Sequence, residues 1–284
     1  MTAGYFFCAL FLSSPVIAAP KQEPATQLKF LKSMPDFCQM DRRLPGGGLQ
    51  YCAPVAVSNV LVWLDQNGFP EILPDQDNSA EAQYHLIKRL GSQDYMNTDE
   101  ETGTSPRETM LGLEKYAHDR GYDVAIEWRG WRDGGKFAAK KESPDLAWLK
   151  DGTTDLYNTI ISVGWYTHDF QKKIFTRLGG HYVTIVGIDT RKPKEPVLYI
   201  HNPSFGLGRN PKPQKCTLST INRGYFGPWC GYRARPAKGY FQIDGIPKRP
   251  DAQIAILDGG IKFTLLNKKL DKNPTVLTQA EFTN

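Results

Sequence analysis

The first twenty residues of this 284-residue chain carry no charged side chain, and neither Lys nor Arg precedes the apolar run 5–12. That run is too short to cross a bilayer, which takes about 20 apolar residues of helix, and no transmembrane span is read further along; an uncleaved anchor or a buried strand is the alternative to a cleaved signal. Ser13, Ser14 and Pro15 then lead into Val16, Ile17, Ala18 and Ala19, small residues that suit a cleavage site after Ala18 or Ala19. Segment 1–18 is therefore expected to be a secretory signal. The mature protein is expected to be secreted or periplasmic, without stable membrane insertion. No internal repeat is present, which excludes a solenoid. No calcium loop is present either: Asp75, Asp77 and Ser79 have no Gly at the turn position, and Leu86 stands where the bidentate Glu belongs. Neither a metal nor an organic cofactor is implied. The net charge of +5 is spread along the chain and names no partner by itself.

What is there begins with cysteine. Cys8 lies in the apolar run and is expected to leave with the signal, so Cys38, Cys52, Cys216 and Cys230 remain. The intervals from Cys38 to Cys52 and from Cys216 to Cys230 are both fourteen positions. In an oxidising compartment that spacing allows local disulfides. A disulfide or a buried structural thiol is thus the alternative against which any chemical role of Cys52 has to be set.

With 40% hydrophobic residues the chain can bury a sizeable core. Segment 44–50 carries three consecutive glycines and reads as a loop feeding a helix. From Ala53 the apolar positions Ala56, Val57, Val60, Leu61 and Leu64 recur at helical steps, with Pro54 in the first turn and Gly68 as a stop. Cys52 is then at a helix N-terminus. Asn78 or Ser79 can cap a second helix to about Leu90, and Ser105, Pro106 and Glu108 form a capping box for a third. Segment 122–128 alternates like a strand, 144–149 reads as a short helix, and 159–166 is rich in β-formers. Strands are expected at 182–188, 197–200, 239–243 and 261–266. Helices first and an antiparallel sheet afterwards is an α+β pattern, with a catalytic domain at 37–204 preceded by a lead at 19–36 and completed by 242–284.

A thiol attacks carbonyl carbon as thiolate, and a helix N-terminus offers amide protons and a positive dipole end that favour that form. A base has to come from elsewhere in the chain. Gly179 and Gly180 bring His181 to a strand mouth, while His85 and His118 fall in helices and His168 in a polar turn. His201 is a rival beside Asn202, but alternation along a strand turns neighbours to opposite faces. Asn202 ends the next strand, where a hairpin returns its amide oxygen to His181 to orient the ring.

The stretches QYCAPVAVSNVL from Gln50, GGHYVTIVGID from Gly179 and HNPSFG from His201 together resemble the three motifs of the papain-superfamily peptidases that trim double-glycine leaders, and of their secreted relatives. The resemblance spans roughly 39–206. It implies a papain-like fold, with Cys52 as nucleophile, His181 as base and Asn202 as orienting residue. The chain departs from that pattern at Ala53, where the family has Gly, and at Gly46, six positions before the Cys, where the family has an oxyanion-binding Gln. Gln50 is taken as the replacement donor, Gln39 being further away. The implied activity is cleavage of peptide or isopeptide bonds through a thioester. Acyl transfer to an amine by the same groups, and a catalytically silent binding module with a structural Cys52, are the alternatives.

Segment 205–241 follows the orienting residue directly. It holds Arg209, Lys212, Lys215, Arg223, Arg233, Arg235 and Lys238 with no Asp or Glu, interleaved with Tyr225, Phe226, Trp229, Tyr232 and Tyr240. It is expected to be a loop beside the cleft, braced by a Cys216–Cys230 disulfide, with Arg233, Arg235 and Trp229 as substrate-binding residues. A peptide, a protein or an anionic polymer suits such a surface, and nucleic acid is not expected for an exported protein.

Overall fold

The structure is a computed structural model that describes residues 28–74, 77, 79–154, 156–205 and 212–267. The expected signal 1–18, Asp75, Asn78, Arg209 and the end of the chain lie outside these residues.

The elements in the first half are β1 (Leu28–Phe30), α1 (Cys52–Gln66), α2 (Ala80–Gly91), α3 (Pro106–Asp119), β2 (Tyr122–Gly130) and α4 (Leu146–Asp151). The second half is strand: β3 (Asn158–Asp169), β4 (Ile174–Asp189), β5 (Val197–His201), β6 (Gln214–Thr220), β7 (Tyr225–Phe226), β8 (Arg235–Pro236), β9 (Phe241–Asp244) and β10 (Ile254–Asn267). The chain is α+β, a mostly antiparallel sheet with few helices.

Local chemistry explains the helices. The Ser79 hydroxyl caps α2 by accepting from the Ala82 amide at 3.1 Å. Ser105 and Glu108 exchange both bonds of a capping box at 3.2 Å, and Asp145 caps α4 through the Trp148 amide at 2.8 Å. α1 is different, because it is buried on nearly every side: Val55, Ala56, Val57, Val60, Leu61 and Leu64 are fully inaccessible, and so are Ser58 and Asn59. Its polar positions are bonded inward, with Ser58 Oγ on the Val55 carbonyl at 2.8 Å and Asn59 Oδ1 accepting from the Phe37 amide and from Gln83 Nε2, each at 3.2 Å. Each buried Val or Leu of this helix contributes on the order of 1.5–3 kcal/mol, so it anchors the helical lobe.

Pairing runs β3 to β4, β4 to β5, β5 to β6, β6 to β9, β9 to β10 and β10 back to β3, all antiparallel, so these strands close into a barrel. Period-two alternation divides their side chains. Ile161, Val163, Val183, Ile185, Leu198, Ile200, Leu218, Ile243 and Leu257 fill the inside. The alternate residues Ile160, Tyr182 and Val186 face outward and pack on α1, joined by Phe263 and the inner faces of α2 and α3. Beside them on the outside lies a third cluster, Trp131, Tyr166, Phe175, Phe226, Tyr240 and Ile256, under the small β7–β8 ribbon. β2 extends the sheet from β10, and β1 from β4.

Two differences from the sequence reading concern the second half. β4 starts at Ile174, well before His181, and the segment 205–241 holds β6, a barrel strand, as well as the β7–β8 ribbon. Turn-rich composition concealed strands whose pairing partners are distant in sequence.

Candidate active site

Cys52 is the first residue of α1. Tyr51 precedes it as N-cap without a side-chain capping bond, so the first amides of the helix stay available. The approach to this point is tightly held. Gln39 Nε2 donates to the carbonyls of Gly48 at 3.1 Å and Leu49 at 2.7 Å, and the Tyr51 amide donates to the Gly48 carbonyl at 3.0 Å. Gly48 has φ +81°, and a Cβ there would stand 1.7 Å from the Gln39 carbonyl oxygen. Only glycine lets the chain turn into α1 in this way. The amides of Cys52, Ala53 and, from β4, Tyr182 point at the Cys52 sulfur.

His181 is the residue before Tyr182. It is buried, with the edge of its ring against Trp165 at a centroid distance of 5.7 Å. Its Nε2 lies 2.8 Å from Asn202 Oδ1 and 3.3 Å from Ser204 Oγ. The Asn202 amide is oriented by its other bonds: Oδ1 also accepts from the Ser204 amide, and Nδ2 donates to Gln214 Oε1, both at 3.1 Å. Gln214 Nε2 in turn donates to the Gly245 carbonyl. With Oδ1 facing the ring, Nε2 must carry the proton and Nδ1 the lone pair. This chain of amides crosses the end of the barrel at which β5 stops, β6 begins and β9 finishes.

Burial controls the protonation states. It pushes the Cys52 thiol up, against the lowering effect of the three amides and of the Arg132 charge. It pushes His181 down to about 4, with Asn202 opposing. Burial thus works against the thiolate that the helix terminus by itself favours, and it favours the neutral imidazole of His181.

His201 is separated from this group. It is buried on the α1 side, across from Thr184, and its Nδ1 is bonded to the Pro35 carbonyl at 2.8 Å. His85 and His118 are exposed helical residues, and His168 stacks on Phe175.

Gln50 does not belong to the site, contrary to the sequence expectation. Its Nε2 donates to the Glu101 carbonyl at 2.9 Å, in the turn before α3. Gln39 is no substitute, because its amide is spent on Gly48 and Leu49. The amides of Cys52 and Ala53 are what remains for an oxyanion.

The braced loop is also corrected. Cys38, Cys52, Cys216 and Cys230 are all free thiols. Alternation in β6 turns Cys216 into the barrel core, while Cys230 is exposed in the turn between Trp229 and Tyr232. Trp229 lies parallel to Tyr232 and covers the Arg177 guanidinium at 4.4 Å. Arg233 is exposed and Arg235 stands 3.7 Å from Glu142. Among the described residues no hydrogen bond or ion pair joins Arg233 or Arg235 to Cys52, His181 or Asn202.

The sequence reading missed Gln214, Ser204, Trp165 and Arg132. Gln214 could have been suspected only from a β6 strand that composition hid, and an isolated Arg132 carries no local signal. Among the described residues no group of three or more His, Cys, Asp or Glu is placed to hold a metal ion. No family model matches the chain, and no curated protein matches it.

Proposed function

We propose that this protein is an exported cysteine hydrolase of papain-like architecture that cleaves peptide or isopeptide bonds through a thioester on Cys52. The observation that carries the reading is the 2.8 Å bond from His181 to an Asn202 amide whose orientation is itself locked by Gln214 and Ser204. A histidine with a fixed tautomer at the residue next to the amide facing a helix-start sulfur is the equipment for general-base activation of that sulfur. The Cys52 thiol gives its proton to His181 Nδ1 as sulfur attacks the carbonyl carbon. The oxyanion is held by the helix-start amides, and the imidazolium returns the proton to the departing amine. Water, deprotonated by the same nitrogen, then releases the acid and restores the thiol. Because burial favours neutral resting groups, proton transfer accompanies attack.

Incubating the mature protein with peptide and isopeptide libraries tests this. Expected are cleavage that Cys52→Ala abolishes and a Cys52-linked acyl adduct in quenched samples. Equal turnover by Cys52→Ala would remove the hydrolase reading. A second reading, a binding module on the same scaffold, is favoured by the raised thiol and by the absence of Gln50 from the site. It predicts retained ligand binding without any acyl adduct. Added amine nucleophile separates transfer from hydrolysis by diverting the thioester to an amide.

A further inference from the structure

The outer face of the barrel beside Cys52 contains a buried charge cluster. Asp258, on β10, is fully inaccessible. Its Oδ2 accepts from Arg177 Nε and from the Tyr166 hydroxyl, each at 2.8 Å, and its Oδ1 accepts from Ser162 Oγ at 2.9 Å. Arg132 Nη2 donates to Ser162 Oγ at 2.6 Å and stands 3.7 Å from Asp258 Oδ1. Gly164 and Gly180, directly paired between β3 and β4, make the room: a Cβ on the first would fall 2.3 Å from Asp258 Oδ2, and on the second 2.0 Å from Arg177 Nη2.

Charge does not balance here. Arg132 is 8% and Arg177 5% exposed, and this pair of guanidiniums faces the single carboxylate of Asp258. Arg177 is bonded directly to Asp258 at 2.8 Å while Arg132 comes only to 3.7 Å, so the surplus charge is assigned to Arg132. Its Nε is buried without a hydrogen-bond partner. A surplus buried cation is costly unless an anion meets it. The register brings Arg132 toward one group that can become an anion. Ser162, which holds Arg132, is directly across from Tyr182, one strand spacing of about 5 Å away, and the Tyr182 amide points at the Cys52 sulfur. The Tyr182 amide of β4 and the Arg132 charge from the turn after β2 act on that sulfur, with Arg177 and Asp258 behind Arg132. The Arg132 charge also favours the ionised thiol.

We propose that Arg132 is the cation that supports the thiolate formed at Cys52 as the thiol proton is withdrawn for attack. The inference rests on Cys52 being the nucleophile. It places the surplus charge where an anion exists only during turnover, so that it stabilises the transition state more than the resting enzyme.

The test is the pH dependence of Cys52 alkylation by iodoacetamide, followed by peptide mass spectrometry so that Cys38 and Cys230 are counted separately. Arg132→Met is expected to slow alkylation at pH 7 about tenfold and to move the profile to higher pH. Arg132→Lys keeps the charge and is expected to stay within about threefold of the parent. Asp258→Asn makes the cluster more positive and is expected to move the profile to lower pH. An unchanged profile in folded Arg132→Met, or displacement of Arg132→Met and Asp258→Asn in the same direction, overturns the proposal. Should Arg132→Met not fold, Asp258→Asn decides: a profile unmoved or raised is the overturning result. Peptide turnover that survives Cys52→Ala defeats the hydrolase reading and leaves the alkylation result standing. Cys52-dependent turnover with an unmoved profile defeats the role of Arg132 alone.

Discussion

In the proposed mechanism Asn202 acts through which of its amide atoms faces the imidazole, and Gln214, one strand further on, holds that orientation. Removing Gln214 should leave the substrate surface intact while letting the Asn202 amide turn. Gln214→Ala is therefore expected to lower kcat about tenfold with KM within about twofold, and Asn202→Ala to lower kcat further, as loss of an outer-shell partner does elsewhere. Steady-state kinetics on a cleaved peptide checks both, and an effect of Gln214→Ala on KM alone would contradict the positioning role. A second residue-scale expectation concerns Asp36, which is 5% exposed with Oδ1 unpartnered, so that burial raises its carboxyl to about 7 from the ordinary 3.8. Between those values the folded chain holds a proton that the unfolded chain has lost, so stability falls as pH rises and the full cost is present above pH 7. Asp36→Asn should be neutral below pH 4 and stabilising by on the order of 4 kcal/mol at pH 8, read by denaturant unfolding. His181 has the opposite sign: with its folded value near 4, below the ordinary 6.5, it withdraws stability as pH falls through that window. The Asp36→Asn protein should expose that slope, with stability rising from pH 4 to 6.5.

At the scale of elements, α1 and α3 start in different ways, and their substitutions should separate accordingly. α3 begins in a capping box that serves the helix alone. Ser105→Ala is expected to cost about 1 kcal/mol and to leave Cys52 alkylation unchanged. α1 begins uncapped, on a turn that only Gly48 permits. Gly48→Ala forces the chain away from Gln39 and so displaces the Cys52 amides together with the sulfur. Thermal unfolding combined with Cys52 alkylation should show both properties altered in Gly48→Ala and stability alone altered in Ser105→Ala. Altered alkylation in Ser105→Ala would mean that the helical lobe responds as one rigid piece.

For the whole molecule, the barrel places His181, Asn202 and Gln214 across one end, and the helical lobe delivers Cys52 to the outside of the same strand. The β7–β8 ribbon adds Arg233 and Arg235 on exposed backbone, with Arg235 loosely paired to Glu142. If the substrate is anionic, replacing both with Ala should weaken its capture at low salt. The deficit should shrink as ionic strength shortens the Debye length below about 10 Å, and Cys52 alkylation should stay unchanged. Unaltered KM at low salt would place recognition elsewhere.

The sequence alone determined the features with a local cause. α1 was legible because its apolar spacing is helical and Pro54 and Gly68 mark its ends. α3 was legible from its capping box. The divergence of His201 from Asn202 followed from strand alternation, which turns His201 to the Pro35 carbonyl and Asn202 to His181. Tertiary structure decided the rest, because its causes lie between residues far apart in the chain. Closure of the barrel through β10 and β3, the diversion of Gln50 to Glu101, and the separation of Cys216 from Cys230 depend on which strands pair and which way each face turns. The raised Cys52 thiol and the lowered His181 imidazole depend on burial, a sum over neighbours that no single segment contains. Arg132 reaches its position beside Tyr182 only because Ser162 and Asp258, 30 and 126 positions further on, meet it there.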